Sequence, residues 1–348
     1  MDGTLERCLQ DFRSVDSEVR LAALTRMEGL DDPRVTKALE ALANDPNLHV
    51  AERVREVLAA RTGEAFARGI ESPPLGRMSH VDYWKVAAKL IVRHPGPLLG
   101  TALVTMVMMP MLVAAILFAC GQDEAGSLVL ASFVLMDSES APKVSRMAEQ
   151  LYPAFEQPLG LLLMALTASL QAWAVSRIYL GSPVSLGAGL AFGAGRLAAL
   201  GATLLTYLFV ALAPVVVALA AAIGLPALFG SRAEAAIPVL GIVAAIVFAY
   251  LALRHSLSTM CCATEGIRGW SACRRAGRLF SRCWGRVLLF SLATLPLPML
   301  YSQFTIVADV NSDLAHLLFF IPYAALCGAA QVLLYYDVAA RYRESGGR

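Results

Sequence analysis

Six arginines recur at Arg268, Arg274, Arg275, Arg278, Arg282 and Arg286, with Trp270 and Trp284 set among them. Guanidinium groups so placed suit phosphate, because each offers a planar fork of N–H donors and a permanent charge. Tryptophan beside them marks a membrane–water interface, where its amphipathic ring settles. On a helix, Ile267, Trp270, Cys273, Ala276, Phe280, Cys283, Trp284 and Val287 share one stripe, and Arg268, Arg275, Arg278, Arg282 and Arg286 share the other. Such a helix lies on a membrane surface with its arginines toward lipid headgroups. The six arginines and two tryptophans are therefore the candidate lipid-interface residues. The same interleaving with Trp and Phe argues against nucleic acid as the partner.

Residues that would carry a reaction do not assemble into a recognisable set. There is no Ser/His/Asp pattern, no phosphate-cradling Gly loop and no metal-ligand spacing. The seven cysteines are scattered without CxxC pairs, which indicates neither a disulfide framework nor zinc. Cys261, Cys262, Cys273 and Cys283 lie near the expected interface; small apolar filler is favoured over S-acylation. Ionisable groups are costly inside a bilayer and usually functional there, yet the apolar stretches hold them only at their ends. Gln171, Gln303 and Gln331 serve as hydrogen-bonding glue between helices. The expectation is a protein that is not an enzyme and takes no cofactor or metal.

The elements that position these residues follow from composition. Hydrophobic residues make up 57% and charged residues 16%, well below the roughly 25% charged of soluble domains. Residues 1–77 nevertheless hold 14 of the 27 acids, so the front of the chain is soluble-like and the rest membrane-like. Three domains of use follow: 1–68 as a small helical domain, 69–77 as a linker, and 78–348 as a membrane domain. With a charged, polar opening and no apolar leader, the N-terminal domain is expected in the cytoplasm.

In the first domain, Ser17–Leu30, Arg34–Ala43 and His49–Ala60 are short amphipathic pieces separated by Asp and Pro. Val19-Arg20 and Val50…Arg53-Val54 recur about one helical hairpin apart. These pieces resemble HEAT-like repeats, whose surfaces bind protein. Arg20, Arg34 and Arg53 are the candidate partner-binding residues on that resemblance, for a cytoplasmic protein. Two repeats are fewer than a free solenoid needs, so the membrane domain, a partner or a second copy completes them; a homo-oligomer is one such assembly.

Six apolar stretches reach the roughly 20 residues a spanning helix takes: about Leu98–Cys120, Pro158–Ile178, Leu197–Ala222, Ile237–Leu257, Val287–Ala308 and His316–Val338. Of the Lys and Arg after Arg77, 15 fall on one side of this arrangement. Only Lys143, Arg146 and Arg232 fall on the other. The asymmetry predicts an inner (plasma) membrane protein with both termini in the cytoplasm. LLGTALVT (Leu98–Thr105), ALGATLLT (Ala199–Thr206) and VLLFSLAT (Val287–Thr294) align at the starts of the odd spans. The expected fold is all-α, a polytopic six-helix domain of three repeats, each an interfacial helix plus a transmembrane hairpin. Gly100, Gly201 and Gly241 are expected where helices approach closely. Pro110, Pro214, Pro296, Pro298 and Pro322 are expected to kink the spans.

Val175–Leu190, Glu265–Leu288 and Leu333–Gly346 resemble the membrane domain of glycerophosphoryl diester phosphodiesterases and related bacterial six-helix membrane proteins, over about residues 78–346. The resemblance implies an integral membrane domain. Hydrolysis in that family belongs to a separate soluble part with a His-Arg-Gly…Glu motif, which this chain lacks; Arg93-His94 and Arg254-His255 run in the reverse order. The sequence points first to a membrane anchor or scaffold whose N-terminal repeats dock a cytoplasmic partner. A lipid or small-molecule transporter or channel using kinked helices is the alternative.

Overall fold

The computed structural model describes residues 2–14, 16–30, 32–45, 47–63, 75–119, 166–229, 237–294, 296 and 313–344. The expected outer loop 121–157, Pro158, Gln303, Pro298, Lys143, Arg146 and Arg232 lie outside these residues. The regular elements among the described residues are helices. The N-terminal unit contains α1 (Asp2–Asp11), α2 (Ser17–Met27), α3 (Pro33–Leu42) and α4 (Leu48–Thr62). The starts of α2, α3 and α4 fall within one residue of the expected Ser17, Arg34 and His49. Side chains of Asp16, Asp32 and Asn47 each accept a hydrogen bond from a backbone N–H of the first turn, which satisfies donors the helix leaves open. Pro33 occupies the first turn of α3, where its missing N–H costs nothing. The four helices bury a core of their own, including Leu5, Phe12, Leu24, Met27, Val35, Leu39, Val50 and Val54.

After residue 75 come α5 (His80–Arg93) and α6 (Pro95–Ala119), then α7 (residues 166–179) and α8 (Leu186–Ala194). They are followed by α9 (Leu197–Phe229), α10 (Ile237–His255), α11 (Ser258–Glu265), α12 (Trp270–Thr294) and α13 (Asp313–Glu344). Leu197–Gly224, Ile237–Glu265 and Ile321–Glu344 are long and apolar enough to cross a membrane. Much of the surface of α9 and α10 is bare hydrocarbon: Phe209 is 84% exposed and Ile223 71%. That is the surface of a protein whose solvent there is lipid. Short helices α5 and α8 lead directly into the long apolar helices α6 and α9.

The break in α12 falls at Cys283 (φ −130°, ψ 25°), where no proline stands; Pro214 and Pro322 lie inside the continuous helices α9 and α13. Of the glycines expected at close approaches, Gly100 and Gly241 are not tight. A Cβ on Gly241 would meet open space, and one on Gly100 would make ordinary contact with Leu186. The close approaches are instead at Gly189 against Trp173, Gly193 against Leu166 and Leu170, and Gly328 against Gln171.

Gln171 is fully buried on α7 and its Nε2 donates to the Ala324 carbonyl of α13 at 3.4 Å. This is the helix-to-helix role expected of it. A Cβ on Gly328 would fall on its Oε1. Gly328→Ala is therefore expected to lower stability by about 1–3 kcal/mol through overpacking. Gly328→Ala combined with Gln171→Ala should recover most of that loss in the same thermal unfolding measurement.

Candidate functional site

The polar chemistry gathers at the end of the helical bundle that carries the N-terminal unit. Its centre is Asp337, fully buried on α13. One carboxylate oxygen accepts from the backbone N–H groups of Gly76 (2.8 Å) and Met78 (3.0 Å). The other accepts from the Tyr83 hydroxyl (2.6 Å), Arg341 Nε (2.9 Å) and Arg286 Nη1 (3.3 Å). Arg286 and Arg341 also donate to the Met78 carbonyl, at 2.8 and 3.1 Å. Local sequence sets each partner. Arg341 stands one turn after Asp337, and a Ser79–Asp82 capping box fixes the start of α5, which carries Tyr83. Gly76 has φ 90°, and a Cβ there would press on Glu344 and Ala340, so glycine alone suits the turn. Burial, together with the Asp337 carboxylate, pushes the Tyr83 phenol pKa well up; it stays a donor at neutral pH. A carboxylate so fully engaged is an architectural knot: every lone pair is taken.

A second buried acid, Glu265 at the end of α11, accepts from the Tyr335 hydroxyl and from Arg275 Nε (3.3 Å). Arg275 then reaches across to the N-terminal unit, its Nη2 donating to Glu18 at 2.6 Å. Further bonds fasten the same junction. The Leu48 N–H donates to the Tyr336 hydroxyl (3.3 Å), and Arg55 donates to the Leu180 carbonyl (2.6 Å) and Ser182 Oγ (2.8 Å). Arg177 donates to Asn44 Oδ1 at 3.0 Å. These bonds join α2 and α4, with the turn between α3 and α4, to α7, α12 and α13.

His49 adds a pH-sensitive element to this junction. Its Nε2 lies 2.7 Å from the Tyr336 carbonyl, which can only accept, so Nε2 carries the proton. Burial, and next the nearby Arg343 charge, hold the imidazole pKa well below its usual value, despite the bond to Tyr336. The docked histidine is thus neutral, whereas an undocked one takes up a proton near pH 6.5. The stabilisation is present above that pH and is lost as pH falls toward the docked pKa. Opening of α4, read by rate-corrected hydrogen exchange, is expected to rise about tenfold per pH unit below 6.5. His49→Gln should flatten that dependence.

The sequence-predicted lipid-interface residues divide. Arg268, Arg274, Arg278 and Arg282 are exposed, as are Trp270 (54%) and Trp284 (58%). Arg286 is half-buried against Asp337. Arg275 is buried at 6% exposure and spends its charge on Glu265 and Glu18 in place of a headgroup. Among the candidate partner residues, Arg20 is likewise turned inward, paired with Asp45 at 2.8 Å and donating to the Ser14 carbonyl. Its role is to close the N-terminal unit. Arg34 and Arg53 lie on the outside, Arg34 beside Asp32 and Arg53 between Glu28 and Glu56. Cys261, Cys262 and Cys273 are fully buried, the setting of apolar filler, not of an acylated thiol.

Sequence reasoning missed Asp337, Glu265, Tyr83 and His49. A signal existed for Asp337: an acid at the end of an apolar helix with Arg four residues on. Among the described residues no group of acids, cysteines and histidines is placed to hold a metal. Compared with protein-family models, with curated proteins and with solved structures, the chain matches none.

Proposed function

We propose that this is a non-enzymatic membrane scaffold. Its membrane domain, read as six spanning helices in the inner membrane, anchors the chain, and the HEAT-like N-terminal unit, on the cytoplasmic side, docks a soluble protein partner. The supporting observation is the fastened junction: the unit is held against the bundle through Glu18, Leu48, His49 and Arg55. The far side of α3 stays open, with Pro33, Arg34, Lys37, Glu40 and Ala41 exposed. A platform held rigidly with one face free suits recruitment, because little ordering is left to be done on binding. The resemblance of residues 78–346 to a phosphodiesterase membrane domain supports the anchoring half of this reading and carries no catalytic role.

Crosslinking in intact membranes tests it with the full chain. One soluble protein should be captured by the wild type and lost from the double variant Arg34→Glu, Lys37→Glu at equal membrane abundance. Identical crosslinks from both, or solute uptake by vesicles reconstituted with the pure chain, would overturn the scaffold reading, the second in favour of transport.

A further inference from the structure

At the kink in α12 a cleft of about 830 Å³ opens between α5, α12 and α13. His80, Arg282, Trp284, Arg286, Leu289 and Arg341 are among its walls. We infer that this cleft binds the phosphate headgroup of one anionic phospholipid.

Charge is the first argument. Three guanidinium groups from two helices converge here. Asp337 engages Arg286 and Arg341, which still leave 24% and 29% of their side chains exposed. Arg282 is exposed, with no ion pair among the described residues. Glu344, the other acid at the cleft, leaves the set with an excess of positive charge. Guanidinium forks suit the oxygens of a phosphate monoester or diester. His80, half-buried at the start of α5, stands in the wall beside them.

Shape selects a lipid over free phosphate. The cleft does not close over its arginines. It continues past Trp284, 58% exposed, to Leu289, 52% exposed, and Leu292 on the same helix beyond is equally exposed. Polar at one end and hydrocarbon along the other, it matches a phospholipid with its headgroup among the arginines and its acyl chains along α12. The site is narrower than a basic face floating on anionic lipid. Arg274 and Arg278 are exposed on the same helix but stand outside the cleft, so they should not matter to it.

The inference rests on the chain being inserted in a membrane, which resistance to carbonate extraction checks separately. The test uses full-length protein purified in neutral detergent, with phosphatidylglycerol and phosphatidylcholine as probes and native mass spectrometry as the readout. The wild type is expected to retain one phosphatidylglycerol in preference to phosphatidylcholine. Arg282→Gln should weaken retention about fivefold, the factor for one lost contact of about 1 kcal/mol near a charged surface. Arg278→Gln should leave it unchanged. Equal weakening by both variants, or no preference between the lipids, would overturn the site. Inorganic phosphate raising the unfolding temperature as much as phosphatidylglycerol does would overturn the lipid assignment. Arg282 is exposed and holds none of the buried bonds, so a change on its substitution reads binding and not folding.

Discussion

Asp337→Ala is expected to lower stability by about 3–5 kcal/mol, the usual cost of removing one partner from a buried ionic network. The substitution leaves the N–H groups of Gly76 and Met78, the Tyr83 hydroxyl and two guanidinium groups without their shared acceptor. In detergent this corresponds to a fall in unfolding temperature on the order of 10 °C. Asp337→Asn keeps the shape and one acceptor oxygen, so it should fall between the wild type and the alanine variant. Tyr83→Phe removes two bonds, the one donated to Asp337 and the one accepted from Arg286 Nη1 at 2.8 Å, and should cost about 2 kcal/mol. An Asp337→Ala protein as stable as the wild type would mean that water replaces the carboxylate, and that the end of the bundle is looser than its hydrogen bonds indicate.

Arg275→Met is the second large effect, also about 3–5 kcal/mol, because Glu265 would remain buried with its guanidinium partner gone and, among the described residues, the Tyr335 hydroxyl still donating to it. Its neighbour supplies the contrast. Arg274 is exposed, and Arg274→Gln should change stability by about 0.5 kcal/mol at most. Replacing both partners, Arg275→Met with Glu265→Leu, should restore most of the loss, since a buried ion pair exchanged for packed hydrocarbon is often neutral. Arg275→Met has a further consequence that Asp337→Ala lacks: it also removes the bond to Glu18. Hydrogen exchange in α2 should therefore quicken in this variant even where the bundle stays folded.

That contrast shows what could be read from the residues. A two-face wheel assigns Arg275 to the same side as Arg278 and Arg282. The assignment fails because α12 is not bounded by lipid on one side and water on the other. The N-terminal unit covers part of its polar side, and an arginine under that cover must find acids instead of phosphates. Helix starts in the N-terminal unit were legible because Asp and Pro at the breaks act on the adjoining first turn, as Asp32 and Pro33 do in α3, which is local chemistry. The close-packing glycines were not, since Gly328 is decided by Gln171, more than 150 positions away in sequence. The apolar stretches at Leu197 and Ile237 begin where expected, because length and hydropathy alone define them. The kink at Cys283 had no proline to announce it. It lies where the arginine-rich part of α12 gives way to its apolar part.

Three consecutive residues of α13 look in three directions. Tyr335 bonds to Glu265 on α11, Tyr336 to Leu48 and His49 on α4, and Asp337 to Gly76, Met78 and Tyr83. Successive side chains on a helix turn by about 100°, so this single stretch grips most of its own circumference. α13 is therefore keyed against rotation about its axis, like a shaft held by three pins at one height. A push on the N-terminal unit arrives at that collar as torque, and the helix must either resist as a whole or shear all three pins together.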